Sequence, residues 1–175
     1  MGNQLQNELD GAGNPVALTG QAYTLQEFWS HGVGIVTPHR AQQALIVSRL
    51  QSIFQAQGVK GIREAVDTVE RFQGQQRDVM LATFALGDPD AIADEDEFLL
   101  SLNRFNVMAS RARAKLIVFI SQEVVDHLSS DMDVLRGSAL LKTFSESFCG
   151  QSRAMQLGYI RGNVNQLVDG AFRWR

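Results

Sequence analysis

The chain has 175 residues, 45% of them hydrophobic and 20% charged, enough to bury the core of one domain and too few for two. Its one cysteine, Cys149, excludes an internal disulfide, and no stretch is apolar for long enough to cross a bilayer as a helix. The net charge of −3 is unlike that of a basic domain that coats nucleic acid, yet six carboxylates crowd into residues 88–97, and without them the remainder is slightly positive.

Residues 1–20 are polar and rich in Gly, Asn and Gln, without the basic and apolar blocks of a signal peptide. They read as a flexible lead or the end of an upstream region extending to residue 24, in a reducing, cytoplasmic setting. Residues 25–29 read as the tail of a helix. Val33–Thr37 is a short β-branched run that suits a buried strand. After Pro38, the residues Ala44, Val47, Leu50 and Phe54 recur at helical spacing, so a helix is expected over residues 38–57, stopped by Gly58. Strands are expected over residues 65–69 and 79–85, joined by a tight loop around Gly74. The acidic residues 87–97 read as an exposed loop, residues 98–112 as a helix, residues 116–120 as the most strand-like run, and residues 134–148 as a further helix. Residues 151–175 show no clear period and are left as an extension to a domain spanning residues 25–150. Apolar strands separated by helices point to an α/β fold with a mainly parallel sheet covered on both faces.

Three segments carry chemistry. In the first, residues 34–42, a strand ends at Thr37 and Pro38 opens a helix that Thr37 is suited to cap, leaving free amides where an anion can dock. In the second, residues 66–79, Thr68 sits at a strand end, and Glu70, Arg71, Gln73, Gln75, Gln76, Arg77 and Asp78 flank Gly74, more polar chemistry than a plain connector requires. In the third, residues 104–120, Arg104, Arg111 and Arg113 are read on a helix feeding a strand, where a guanidinium clamps phosphate oxygens. Taken singly, each has a plain alternative: an ordinary strand-to-helix turn, a solvated loop, and a basic helix face.

In this order and spacing the three segments resemble motifs IV, V and VI of superfamily 1 helicases, in the branch of the nonsense-mediated-decay helicase. They stand here as Thr37-Pro38-His39-Arg40-Ala41-Gln42, the run from Thr68 to Asp78, and the run from Arg104 to Arg113. The resemblance covers about residues 33–121. It implies a three-layer RecA-like domain of P-loop NTPase type, the second motor domain of an ATP-dependent DNA or RNA helicase. On that resemblance Arg111 is the catalytic arginine finger, and Gly74, Gln76 and Arg113 contact ATP, with Gly74 against the phosphates and Gln76 at the ribose. Thr37, His39 and Thr68 line the track for single-stranded DNA or RNA. ATP and Mg2+ are then used in the full-length protein, with the metal ligands on an N-terminal RecA-like partner domain. No metal site and no membrane are expected for this chain.

Two positions depart from the family's pattern: Gln76 stands where Glu is usual, and His39 where Tyr is commoner. The chain has no GxxxxGK[ST] phosphate loop, so it is expected to be inactive alone. The run Asp94-Glu95-Asp96-Glu97 is read as solvated rather than magnesium-binding. The competing function class is a non-catalytic helicase-like binding or scaffolding module.

Overall fold

The computed structural model describes residues 23–55, 61–72, 74–84, 86–161 and 164–175. Four strands, β1 (Val33–Thr37), β2 (Val66–Thr68), β3 (Arg77–Thr83) and β4 (Ala112–Phe119), form one sheet in the order β2-β1-β3-β4, every neighbouring pair parallel. Each parallel pair needs a crossover. Between β1 and β2 it is made by α2 (Arg40–Phe54) and α3 (Ile62–Ala65). Between β3 and β4 it is made by α4 (Pro89–Asp94), α5 (Asp96–Leu99) and α6 (Leu102–Ala109). The chain enters through a short α1 (Leu25–Glu27) and a π-helical turn, Phe28–Gly32. After β4 come α7 (Gln122–Asp126), α8 (Met132–Lys142) and a second π-helical turn, Thr143–Phe148.

The register sorts side chains onto two faces, because successive strand residues point to opposite sides. Gly34 pairs with Met80 and Val36 with Ala82, while Val33 pairs with Val79 and Ile35 with Leu81. Val36, Met80 and Ala82 belong to one core with Phe72, Phe105, Met108, Val124 and Leu141, under α6, α7 and α8. Val33 belongs to the other with Trp29, Ile62 and Ala65, against which Leu50, Phe54 and Leu81 pack. Helices therefore cover both faces of a parallel sheet, and the expected α/β architecture stands. Gly34 is required where it is. A Cβ there would lie 2.6 Å from Met80 Sδ, 2.8 Å from Arg77 Cγ and 2.9 Å from Phe72 Cζ.

Several local expectations are corrected. Residues 87–97 are not an exposed loop: Asp88 caps α4 by accepting from the Ala91 amide at 3.1 Å, Pro89 takes the first helical positions, and Ile92 is fully buried. The acidic composition masked a capping signal and one apolar anchor. The helix expected over residues 98–112 is interrupted at Leu100 and Ser101, and β4 already begins at Ala112, so only Arg104 of the three arginines lies on a helix. Arg111 falls in the turn after α6, and Arg113 lies in β4, an edge strand whose Phe119 is half exposed. The helix after β1 starts at Arg40 with His39 at its N-cap and no side-chain cap bond. Thr37 lies two residues before that cap, where its hydroxyl donates to the Gln42 side chain and accepts the His39 amide at 3.5 Å. Gln57, Gly58, Gln73 and residues 1–22 lie outside the described residues.

The extension at residues 151–175 is an antiparallel hairpin. β5 (Gln151–Arg161) and β6 (Val164–Trp174) pair without a break from Gln151 opposite Trp174 to Arg161 opposite Val164. It meets the rest of the chain at its base, where Arg173 donates to the Ser145 carbonyl at 3.3 Å and Arg175 lies over the Phe148 ring at 5.2 Å.

Candidate nucleotide and nucleic-acid surfaces

Because all four strands run the same way, the sheet has one amino-terminal rim and one carboxyl-terminal rim, and the candidate residues divide between them. At the amino-terminal rim β3 starts at Arg77 opposite Ala112 of β4. Gly74 makes the turn into β3 with φ 84, a left-handed conformation that glycine adopts without strain, and nothing lies within 4 Å of where a side chain would begin. The Arg77 amide donates to the Arg111 carbonyl at 3.0 Å, so the Gly74 turn and the turn after α6 are tied together. Arg113 Nε donates to Gln76 Oε1 at 3.4 Å, and Arg113 also faces Asp78 at 3.9 Å. Gly74, Gln76, Arg111 and Arg113 thus form one group. Arg111 is half-buried, and its Nε is buried with no hydrogen-bond partner among the described residues.

Two residues to which the sequence assigns no individual role, Arg77 and Phe72, hold this group. Arg77 is 7% exposed; it donates to the Gln76 carbonyl and to Gln75 Oε1, each at 3.0 Å, and its guanidinium sits 5.3 Å from the centre of the Phe72 ring. Burial lowers the pKa of that guanidinium. Phe72 is fully buried beneath it. Phe72 is the one hydrophobic side chain in the polar stretch of residues 70–78, and that isolation is the signal that would have found it; nothing in the sequence separates Arg77 from its solvated neighbours.

Tyr23 closes the same rim by hydrogen-bonding the Asp78 carboxylate. That bond, with burial and the nearby Asp78 charge, raises the Tyr23 pKa from 10.0 to about 12. A phenol whose folded pKa is raised contributes stability that is whole below its unfolded value near 10.0 and is lost as pH rises through about 12. In a Tyr159→Phe background, which leaves Tyr23 as the only tyrosine, absorbance titration is expected to show phenolate forming near 12. Asp78→Asn should move that midpoint down toward 10. An unchanged midpoint would show that Asp78 is not its cause.

At the carboxyl-terminal rim Thr37 of β1 stands beside Thr68 of β2. Both are buried, so of the three candidate track residues His39 is the one presented at the surface. Gln42 donates to Thr83 at 3.2 Å, and Gln43 donates to Asp67 Oδ1 at 3.0 Å, an oxygen that also accepts the Thr68 amide at 2.8 Å. Helix α2 is thereby pinned to the strand ends. His39 stacks on Phe98 with ring centres 5.8 Å apart and meets Glu95 at 3.3 Å. Arg104 lies 3.6 Å from the centre of the Phe98 ring and pairs with Glu70 at 2.5 Å. His39, Glu95, Phe98 and Arg104 line an open cleft of about 630 Å³. In the sequence Glu95 reads only as part of a solvated acidic run and Phe98 only as the start of a helix.

Among the described residues no group of three or more His, Cys, Asp and Glu side chains could hold a metal ion, and no helix is long and apolar enough to cross a membrane. For ATP the fit is better. Arg111 has an uncommitted buried donor, Gly74 leaves open space beside the turn, and Gln76 and Arg113 supply further donors on the same rim.

The chain is 35% identical over 86 residues to the probable helicase senataxin of Mus musculus, covering 49% of this chain and 3% of that protein. It is 34% identical over 91 residues to the probable RNA helicase armi of Drosophila melanogaster, covering 50% and 7% respectively. It is 28% identical over 102 residues to the DNA replication ATP-dependent helicase/nuclease dna2 of Schizosaccharomyces pombe, covering 55% and 7%. The chain therefore spans no more than 7% of the length of any of these three relatives. The family described as AAA domain matches residues 16–123, more than half of the chain. The chain belongs to that AAA-domain family, and it is a helicase-like domain.

Proposed function

We propose that this chain is the second motor domain of a superfamily 1, ATP-dependent DNA or RNA helicase, closing a nucleotide site whose other wall belongs to a phosphate-loop domain of the same protein. The observation that carries this reading is Arg111. Its backbone is fixed by the Arg77 amide, its Nε is buried without a hydrogen-bond partner among the described residues, and it shares one rim with Gly74, Gln76 and Arg113. A guanidinium held in this way can stabilise the charge that develops as a phosphoryl group leaves.

The remaining roles follow from placement. Gly74 lets the backbone approach phosphate oxygens, and the Gln76 amide can exchange its Arg113 partner for a ribose hydroxyl. Mg2+, held by carboxylates of the partner domain, supplies charge neutralisation on the phosphates. On the opposite rim His39 contacts the single strand, with Thr37 and Thr68 fixing the backbone beneath it. Phosphate contacts hold a strand without reading its sequence, as a translocating motor requires.

A binding or scaffolding module is the second reading, favoured by Gln76 in place of Glu and by the net charge of −3. The placement of Arg111 on one rim with Gly74, Gln76 and Arg113 weighs against it, since a module without a motor cycle has no use for a finger arginine. The purified 175 residues are expected to hydrolyse no ATP, with or without single-stranded nucleic acid. Joined to a phosphate-loop domain, they are expected to complete a nucleic-acid-stimulated ATPase. Robust hydrolysis by the chain alone, or none by the joined protein, would overturn the motor reading.

A further inference from the structure

The β5–β6 hairpin takes no part in either rim, yet it concentrates chemistry that the rest of the chain lacks. Residues 151–175 hold four arginines against one aspartate, whereas the preceding 150 residues hold 12 basic and 18 acidic side chains. The pairing register places Trp174, Phe172, Tyr159 and Arg153 on one face, since strand residues two apart point the same way and Arg153 stands directly opposite Phe172. Neither strand contributes a carboxylate to that face. The hairpin's single acid, Asp169, belongs to the other face, where Gln156 donates to it at 2.9 Å. Phe172 and Trp174 are already stacked, ring centres 5.4 Å apart and planes 22° from parallel, with Trp174 38% exposed.

We propose that this face of the hairpin binds single-stranded nucleic acid, with bases stacking on Trp174, Phe172 and Tyr159 and a backbone phosphate drawn to Arg153. The proposal rests on the reading that the chain handles a single strand, and adds a second contact surface to the His39 rim. Charge chooses the occupant. An acidic domain whose surplus of cations is gathered on one aromatic arm presents that arm to a polyanion. Stacking on aromatic rings is tolerant of sequence, because every base has a π-face, and it complements phosphate contacts that are equally indifferent to sequence.

The chain's two tryptophans make a direct test possible, because Trp29 is 3% exposed in the core while Trp174 lies on the proposed surface. Titrating the full 175-residue chain with an oligothymidylate is expected to quench Trp174 emission and leave the Trp29 background. Trp174→Leu and Phe172→Leu, which keep apolar bulk and remove the rings, are each expected to weaken binding about tenfold. Arg153→Gln should reduce the salt slope of log K by about 0.7. Oligonucleotide binding with no quenching and no effect of the two Leu variants would overturn the hairpin's role while sparing the His39 rim. No binding at any salt would overturn both. A concentration-dependent dimer in sedimentation that Phe172→Asp dissolves would assign the face to a second copy of the chain and overturn the proposal.

Discussion

In a protein that joins this chain to a phosphate-loop domain, Arg111→Ala is expected to reduce nucleic-acid-stimulated turnover about 10³-fold or more while leaving ATP binding close to normal. The size of the effect comes from where the guanidinium works. A charge aimed at oxygens that become more negative during transfer contributes little to ground-state binding and much to the barrier. The backbone of Arg111 is held by the Arg77 amide, so loss of the side chain leaves the turn intact. Arg111→Lys should fail nearly as badly, because an ammonium lacks the planar fork that meets two oxygens at once. The measurement is steady-state kcat beside the affinity of a non-hydrolysed ATP analogue. An unchanged kcat in Arg111→Ala would remove the arginine from the reaction, and a collapse of analogue affinity with kcat retained would make it a binding residue only.

The second large effect is expected on stability. Phe72→Ala should lower the unfolding free energy by about 3–5 kcal/mol, read as a shift of the denaturation midpoint at unchanged slope. Phe72 is fully buried within the larger core, packs where Gly34 has no side chain, and lies under the Arg77 guanidinium. Truncating it opens a cavity in the layer that joins β1 to the Gly74 turn, and collapse into that cavity would move Arg77 and, through it, the Arg111 carbonyl. A loss below about 1 kcal/mol would mean that the turn holds itself without this ring.

The parallel sheet was legible because its strands are continuous apolar runs. Val33–Thr37 was placed to the residue, and β2 and β3 within two residues at each end. The amino-terminal group was legible as membership of a pattern; that Gln76 touches Arg113 and that Arg77 is tied to Arg111 are consequences of a parallel register that no local pattern encodes. Two kinds of information were hidden. Composition concealed α4 and α5, whose carboxylates look like a solvated loop until Asp88-Pro89 is read as a cap and Ile92 as an anchor. The hairpin was concealed because neither of its faces is packed, so its period of two is not enforced by burial. The division of the candidate residues between two rims was also out of reach, since strand direction is a property of the whole sheet.

Helix α6 has Arg104 in its first turn, beside Phe98 and Glu70, and delivers the chain at its far end directly to Arg111. Eight residues of α-helix make a stiff rod about 12 Å long. A displacement of Arg104 from its ion pair at one rim would therefore be carried by this one stiff helix to the two-residue turn that holds Arg111 at the other.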